Sequence, residues 1–327
     1  MKQHYLEFET EPMKIGARIA DLREKAEQAP VGGEDLQKLQ QEIESLEVEE
    51  TKAVRQLYRQ LSPWQKTQVA RHPNRPHGKD YIDALCTGFT PIAGDRRFAE
   101  DAAIIAGFAR LGETPVAVVA TEKGTDTKSR VKHNFGMPKP EGYRKAQRLF
   151  ALAEKFGLPI VAFVDTPGAY PGVEAEARGQ ADAIAACIED AMGLRVPFVT
   201  YITGEGGSGG ALALATADRV FMLEHSIYSV ISPEGCASIL WRSQQEAQKA
   251  AEALKITAQD IEELCLIEGI VPEPVGGAHR DKPLMIERVG EHLRETLDDL
   301  AQKGLEGFSL HRRERFLNLR PPSQQQG

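Results

Sequence analysis

From Glu34 the apolar residues Leu36, Leu39, Ile43 and Leu46 recur at steps of three, four and three, and Ala53 and Leu57 carry the register past the polar Glu50. That spacing puts them on one side of a 3.6-residue helix, so a long amphipathic helix is expected here. A shorter stripe, Ile15, Ile19 and Leu22, precedes it, and Pro30-Val31-Gly32-Gly33 breaks the chain between them into a helical hairpin. Such a hairpin packs on its own domain or clamps a neighbouring subunit, and one seam does not name its partner. Ser62-Pro63-Trp64-Gln65 predicts a fresh helix: Ser62 as N-cap, Pro63 at the first helical position, Gln65 placed for a capping box. Arg71-His72-Pro73-Asn74-Arg75-Pro76 ends it.

After about residue 95 the texture changes. Strand-like runs at 103–109, 115–120, 159–164, 197–202, 219–223 and 228–231 alternate with helical stretches at 143–156, 179–192 and 244–254, followed by a polar tail. That alternation predicts an α/β core. The closing Pro-Pro-Ser-Gln-Gln-Gln-Gly is expected to be disordered.

Composition narrows the classes. Hydrophobic residues at 41% and charged residues at 27% suit a soluble globular protein, and no apolar run approaches the roughly 18 residues of a membrane span. The first ten residues mix Lys2, Glu7 and Glu9 with scattered apolar positions, so no export signal is expected and the cytoplasm is the default compartment. Cys86, Cys187, Cys236 and Cys265 form no C-x-x-C pair, which argues against a zinc ribbon or redox dithiol. Forty basic and 48 acidic residues give −8, without the basic excess of a dedicated nucleic-acid binder.

Two strands run into unusual turns, Asp165-Thr166-Pro167-Gly168-Ala169-Tyr170-Pro171-Gly172 and Thr203-Gly204-Glu205-Gly206-Gly207-Ser208-Gly209-Gly210-Ala211. Glycine lets a backbone approach a ligand closely, and a helix starting near Gly209 has unpaired N–H groups at its positive end; the turn is suited to an anion or oxyanion. Three patterns compete for it. Gly204-Glu205-Gly206-Gly207-Ser208-Gly209 fits G-x-G-x-x-G, with acidic Glu224 after the next strand, and suggests a dinucleotide-binding oxidoreductase; its mid-chain position and short helix weigh against that. Gly206-Gly207-Ser208-Gly209-Gly210 fits G-x-S-x-G, with Asp218 and His225 in hydrolase order, but a helix from Gly209 would carry Asp218 over 10 Å from Ser208 at about 1.5 Å per residue. A Walker pattern is absent, since no Lys-Ser or Lys-Thr follows.

Together the two turns resemble the paired oxyanion-hole segments of the crotonase superfamily. Within it, the chain resembles the carboxyltransferase alpha subunits of acetyl-CoA carboxylase. The resemblance rests on Arg71 to Pro76, Asn134-Phe135-Gly136-Met137-Pro138, Pro140-Glu141-Gly142-Tyr143-Arg144-Lys145-Ala146, the two turns, Ile231-Ser232-Pro233-Glu234-Gly235-Cys236-Ala237-Ser238-Ile239-Leu240-Trp241, Pro272-Glu273-Pro274 and Gly276-Gly277-Ala278-His279-Arg280. It implies a crotonase-like fold of repeated ββα units with an N-terminal helical hairpin: a helical region over 1–80, a carboxyltransferase domain over 81–315 and a tail over 316–327. It also implies carboxyl transfer from carboxybiotin, presented by the biotin carboxyl carrier protein, to acetyl-CoA, giving malonyl-CoA for fatty acid synthesis. The implied partners are the carrier, biotin carboxylase and a beta subunit in an α2β2 heterotetramer; zinc is expected only in the beta subunit.

This chemistry puts charge on a thioester oxygen and on a ureido oxygen, and preorganised backbone N–H groups suit both. By the resemblance, Gly206, Gly207, Gly209, Gly210 and Ala211 supply the hole for biotin's oxygen, with Gly168 and Ala169 lining the same cleft. Tyr170 and Trp241 are candidates to pack on biotin, although aromatics are more often core. Ser208 is a small polar turn residue at the same cleft. Lys123, Lys128, Arg130, Lys132 and His133 form a basic run, of which Lys123 and Arg130 are the candidates for CoA phosphates, against a solvated loop. Glu205 is a candidate base, with biotin itself the alternative proton acceptor.

Overall fold

The computed structural model describes residues 4–29, 33–303 and 307–319. Of the expected hairpin break at 30–33, residues 30–32 lie outside them, as does the terminal run 321–327.

The two N-terminal stripes meet each other. Helices α1 (Thr10–Gln28) and α2 (Glu34–Tyr58) bury Ile15, Ile19 and Leu22 against Leu46, with Leu39, Ile43 and Ala53 alongside. The base of this hairpin sits on its own chain: Arg280 reaches Glu9 at 2.7 Å and Glu50 at 3.5 Å, and Val54 and Tyr58 pack with Leu61 and Val69. Helix α3 (Pro63–Ala70) opens on the expected capping box, Gln65 N–H donating to Ser62 Oγ at 3.2 Å and Ser62 N–H to Gln65 Oε1 at 2.8 Å. Helix α4 (Gly78–Leu85) runs across residue 80, where the helical region was expected to end.

Eight strands form one sheet: β1 (Thr87–Pro91), β2 (Ile104–Leu111), β3 (Thr114–Thr121), β4 (Ile160–Thr166), β5 (Phe198–Gly207), β6 (Arg219–Leu223), β7 (Ile227–Ser229) and β8 (Gly269–Val271). The order is β1-β2-β3-β4-β5-β6-β8, with β7 added beside the end of β5. The first three strands are antiparallel and every later pairing is parallel. All six expected runs are strands; β1 and β8 were not expected, β1 being mostly exposed and β8 three residues long. Strand β5 outruns its expected end at 202 because β7 pairs with Glu205, Gly206 and Gly207 and keeps the glycine run extended.

Helices α5 (Thr127–Lys132), α6 (Pro140–Phe156), α7 (Val173–Ala177), α8 (Gln180–Gly193), α9 (Ser208–Ala215), α10 (Pro233–Trp241), α11 (Ala247–Leu254) and α12 (Ala258–Glu263) follow in chain order. With the short α5 passed over, β2–β3–α6 is a ββα succession, and β6–β7–α10 is a second, in which β7 pairs with β5 rather than β6. Side chains alternate across the sheet as a period of two requires. In β4, Ile160, Ala162 and Val164 face α6, α8 and α9, while Val161 and Phe163 face the opposite layer.

That opposite layer holds α4 and a helix the sequence reading missed, α13 (Lys282–Ala301), where only a polar tail was expected. Its Met285, Ile286, Val289, Leu293, Leu297 and Leu300 are buried at helical spacing; the many charges between them hid the stripe. Helix α14 (Phe308–Leu317) continues two residues past the domain limit expected at 315. It is pinned by fully buried Arg312, which donates to the carbonyls of Ala191 and Leu194 and to Asp218 Oδ2, each at 2.7 Å. Among the described residues no helix is long and apolar enough to cross a membrane.

Candidate functional site

The glycine turns lie at the C-terminal ends of the parallel strands β4 and β5, where open α/β sheets take their ligands. They interlock. A Cβ on Gly207 would stand 2.3 Å from the Pro167 carbonyl, and one on Gly210 would stand 2.6 Å from Ala169 N. No side chain fits at either position, so these glycines let one turn rest directly on the other. Gly209 is different: its Cβ would meet only Ile184, at 3.4 Å.

The first turn is shaped locally. Thr166 Oγ1 accepts from Gly168 N–H at 3.1 Å and donates to the Gly168 carbonyl at 2.9 Å, with Gly168 at φ +142°. Tyr170 N–H donates to Pro138 O at 2.9 Å. Between them, the amide of Ala169 has no hydrogen-bond partner among the described residues.

The second turn divides the expected amides. Gly206 faces Thr166 of β4 on one side and Tyr228 of β7 on the other, so the sheet claims its main chain. Ala211 is the first residue whose amide falls within the i→i−4 ladder of α9. Both residues therefore lie inside regular elements, whereas the amides of Gly209 and Gly210 fall in the first turn of α9, outside its ladder. Ser208, Gly209 and Gly210 form the first helical turn, and the N-cap Gly207 offers no capping side chain. Ser208 is held at φ +51°, a conformation costing on the order of 1 kcal/mol or more for a residue with a side chain. It is exposed, while Gly207, Gly209, Ala169 and Tyr170 are half-buried and Gly168 and Gly210 buried. Beside the elbow, Ser208 and Gly209 join Leu212, Tyr228, Val230 and Phe316 in an apolar groove of ≈ 320 Å³. Tyr170 lies nearby with the Lys139 ammonium 4.7 Å above its ring.

On the other side of the strand ends, Arg71, Lys123, Arg130, Asp165, Pro167 and Glu205 line a cavity of ≈ 180 Å³. Lys123 was a candidate for CoA phosphates, against a solvated loop. Instead its ammonium touches Asp165 Oδ1 at 2.6 Å and Glu205 Oε2 at 2.8 Å. Arg71 holds the other Glu205 oxygen at 2.7 Å and Glu234, at the start of α10, at 2.5 Å. Burial pushes the Glu205 carboxyl up, but Lys123 and Arg71 outweigh it and hold the group at about 2. Glu205 is therefore a fixed anion with both oxygens occupied, not a base. The Arg130 side chain makes no ion pair within 4 Å among the described residues, feels the Asp126 charge one turn away, and lines the cavity.

Behind this cluster, fully buried Arg75 donates to Thr203 O at 2.9 Å and to both Glu273 oxygens at 2.9 and 2.5 Å. Burial raises the Glu273 carboxyl, and Arg75 and His225 outweigh it, down to about 2. Sequence reasoning quoted the blocks holding Arg71, Arg75, Glu234 and Glu273 without giving them a role; more than a hundred residues separate the partners, and no local spacing pairs them.

Two competing patterns fail here. Asp218 is bound to Arg312 and to Phe198 N–H, while His225 N–H donates to Glu273 and its ring stands beside Tyr58, so no triad gathers at Ser208. The dinucleotide reading has no support: Gly204 and Gly206 lie within β5, and the Glu224 carboxylate accepts from Glu273 N–H at 3.0 Å.

The family model described as "Acetyl co-enzyme A carboxylase carboxyltransferase-like" matches residues 5–320. The chain belongs to this family. Two relatives in it are each an "Acetyl-coenzyme A carboxylase carboxyl transferase subunit alpha". The one from Sinorhizobium fredii is 53% identical over 316 residues, 97% of this chain and 98% of the relative. The one from Rhizorhabdus wittichii is 54% identical over 315 residues, 96% and 99% of the two chains. The beta subunit of P. aeruginosa geranyl-CoA carboxylase aligns at a TM-score of 0.54 and 17% identity over 80% of this chain and 46% of that one, a likeness of fold. The fold is the crotonase-like one of carboxyltransferases, and membership makes this chain a carboxyltransferase component, an enzyme of the transferase class.

Proposed function

We propose that this chain is the alpha subunit that supplies the biotin side of an interfacial site, moving a carboxyl group from carboxybiotin to acetyl-CoA to form malonyl-CoA. The observation that carries the reading is the pair of interlocked turns, with the unpartnered Ala169 amide placed against the uncapped first turn of α9. Donors of this kind cannot titrate and need no reorganisation as a ureido oxygen gains charge; a single such donor is worth about 10²–10³ in kcat. The positive end of α9 adds to the same field.

The hole is assigned to Ala169 together with Gly209 and Gly210, with Gly207 and Gly168 setting the approach of the two backbones. The apolar groove at Ser208 and the face of Tyr170 suit the hydrophobic part of biotin. Arg130 is the cation left to meet a CoA phosphate. Glu205 being a fixed anion, biotin itself accepts the proton from acetyl-CoA.

One hole serves one of the two oxyanions, so a beta subunit completes the site in an α2β2 assembly and carries the zinc. The biotin carboxyl carrier protein and biotin carboxylase supply carboxybiotin, and the complex works in the cytoplasm. Purified chain alone is expected to form no malonyl-CoA, and beta subunit with carboxylated carrier to restore it. Turnover by the isolated chain would contradict the reading.

A further inference from the structure

The motif Asn134-Phe135-Gly136 belongs to no amide pair, yet it bears directly on the elbow. Gly136 adopts φ +80°, and a Cβ there would stand 2.5 Å from Lys123 Cγ. The turn is left without a side chain where the lysine stem passes beneath it. That stem delivers one ammonium between Asp165 and Glu205, at 2.6 and 2.8 Å. Asp165 stands two residues before Pro167 and Glu205 directly before Gly206, so the same cation grips the roots of both turns. The roots are also tied to each other: Glu205 N–H donates to Asp165 Oδ1 at 2.8 Å. Gly204 permits this closeness, since a Cβ on it would stand 2.4 Å from that oxygen.

We propose that Lys123 is a positioning residue for carboxyl transfer, holding the Pro167-Gly168-Ala169 turn and the Gly206-to-Gly210 turn in register so that amides from both converge on one oxygen. This rests on the reading of the elbow as an oxyanion hole and gives Lys123 a role other than phosphate contact. Without the ammonium, two buried carboxylates oppose each other, and only Arg71, itself shared with Glu234, faces Glu205. Other charged or titratable groups around the cluster are Arg75 from behind, and His72, His77 and Arg130 around the cavity. The carboxylates then part or take up a proton, and the turns they root shift; a displacement near 1 Å at reacting groups costs about 10²-fold in rate.

The test uses the chain reconstituted with beta subunit and carboxylated biotin carrier. Lys123→Met is expected to lower kcat about 10²-fold while KM for acetyl-CoA stays within about threefold, and its residual kcat, relative to wild type, should rise as pH falls and the carboxylate pair takes up a proton. Adding Asp165→Asn, which still accepts from Glu205 N–H but removes one charge, should recover at least about tenfold of that loss. Hydrogen exchange in the isolated chain should quicken at 166–170 and 206–210 in Lys123→Met and slow again in the double variant. That arm requires no turnover, so it separates failure of the clamp from failure of the proposed activity. Wild-type kcat in Lys123→Met would overturn the proposal. So would a loss confined to KM, which marks a direct CoA contact, or a loss that Asp165→Asn leaves unchanged. If Lys123→Met does not fold, Lys123→Arg, which keeps the cation, decides: kcat within about tenfold of wild type supports the clamp, and inactivity of a folded, partner-bound Lys123→Arg overturns it.

Discussion

The N-terminal hairpin and the glycine elbow are held by opposite means. In the hairpin, apolar stripes from adjacent stretches of chain meet, and ion pairs such as Arg18–Glu42 and Arg23–Glu47 decorate the outside at 2.6 Å while remaining exposed. In the elbow, few large side chains lie between the backbones; glycines bring main chain onto main chain, and buried and half-buried charges from five distant segments fix the angle. The hairpin therefore tolerates small changes because side chains can repack, whereas the elbow transmits each displacement to its amides. Geometry is fixed most tightly where reaction is proposed, and by groups that do not themselves react.

The sharpest way to break this contrast lies within the elbow itself. Gly207→Ala should lower kcat by 10²-fold or more, on the order expected when a donor is displaced, because its Cβ meets the Pro167 carbonyl at 2.3 Å. Gly209→Ala, whose Cβ meets only Ile184 at 3.4 Å, should stay within about tenfold of wild type by the same argument. Equal losses at the two positions, measured as carboxyl transfer in the reconstituted complex, would show that close approach is not what the glycines provide.

Removing the cation behind the elbow should cost less activity per molecule but more stability. Arg75→Met leaves Glu273 buried without its partner, and breaking such a pair costs about 3–5 kcal/mol, readable by denaturant titration. A change under about 1 kcal/mol would place the pair among the neutral ones.

The hairpin side responds to pH. The His72 ring, its Nε2 facing His4 O at 3.1 Å, stacks on His279 with centroids 3.7 Å apart. Burial pulls His72 down from 6.5 to about 4, against the pull of that backbone contact. The unfolded chain binds a proton that the folded ring refuses, so the contribution is complete above about 6.5 and is lost as pH falls toward 4. The melting temperature should fall from pH 7 to pH 5, and His279→Phe, which removes the neighbouring ring that burial likewise depresses, should flatten that fall. An unchanged slope would remove these rings from the account. The smallest effect is expected at Ser62→Ala, about 1 kcal/mol from the lost cap of α3.

Legibility in the sequence followed the same divide. Where one stretch of chain specifies its own contacts, as in the α1 and α2 stripes, the Ser62 cap and the six short apolar runs that became strands, the residues announced the structure. Helix α13 was equally periodic and was missed because Glu287, Glu291, Arg294 and Asp298 between its apolar positions gave the segment a polar average. The elbow was legible as a glycine-rich place with an affinity for negative charge. Which amides remain available was not, because that depends on β7 pairing with β5 and on the α9 ladder, both tertiary outcomes. The roles of Arg71, Lys123 and Glu273 were hidden for a related reason: an ion pair across 80 to 200 residues leaves no period to read.

A backbone donor can be deleted without touching any side chain, and that is the decisive experiment. Replacing the Ala169 peptide N–H by an ester oxygen, through lactic acid incorporated at that position, removes one hydrogen-bond donor and keeps the methyl group. In the complex reconstituted with beta subunit and carboxylated carrier, kcat for malonyl-CoA formation is predicted to fall about 10²–10³-fold with KM for acetyl-CoA nearly unchanged. Wild-type turnover from the ester-containing chain would contradict the account.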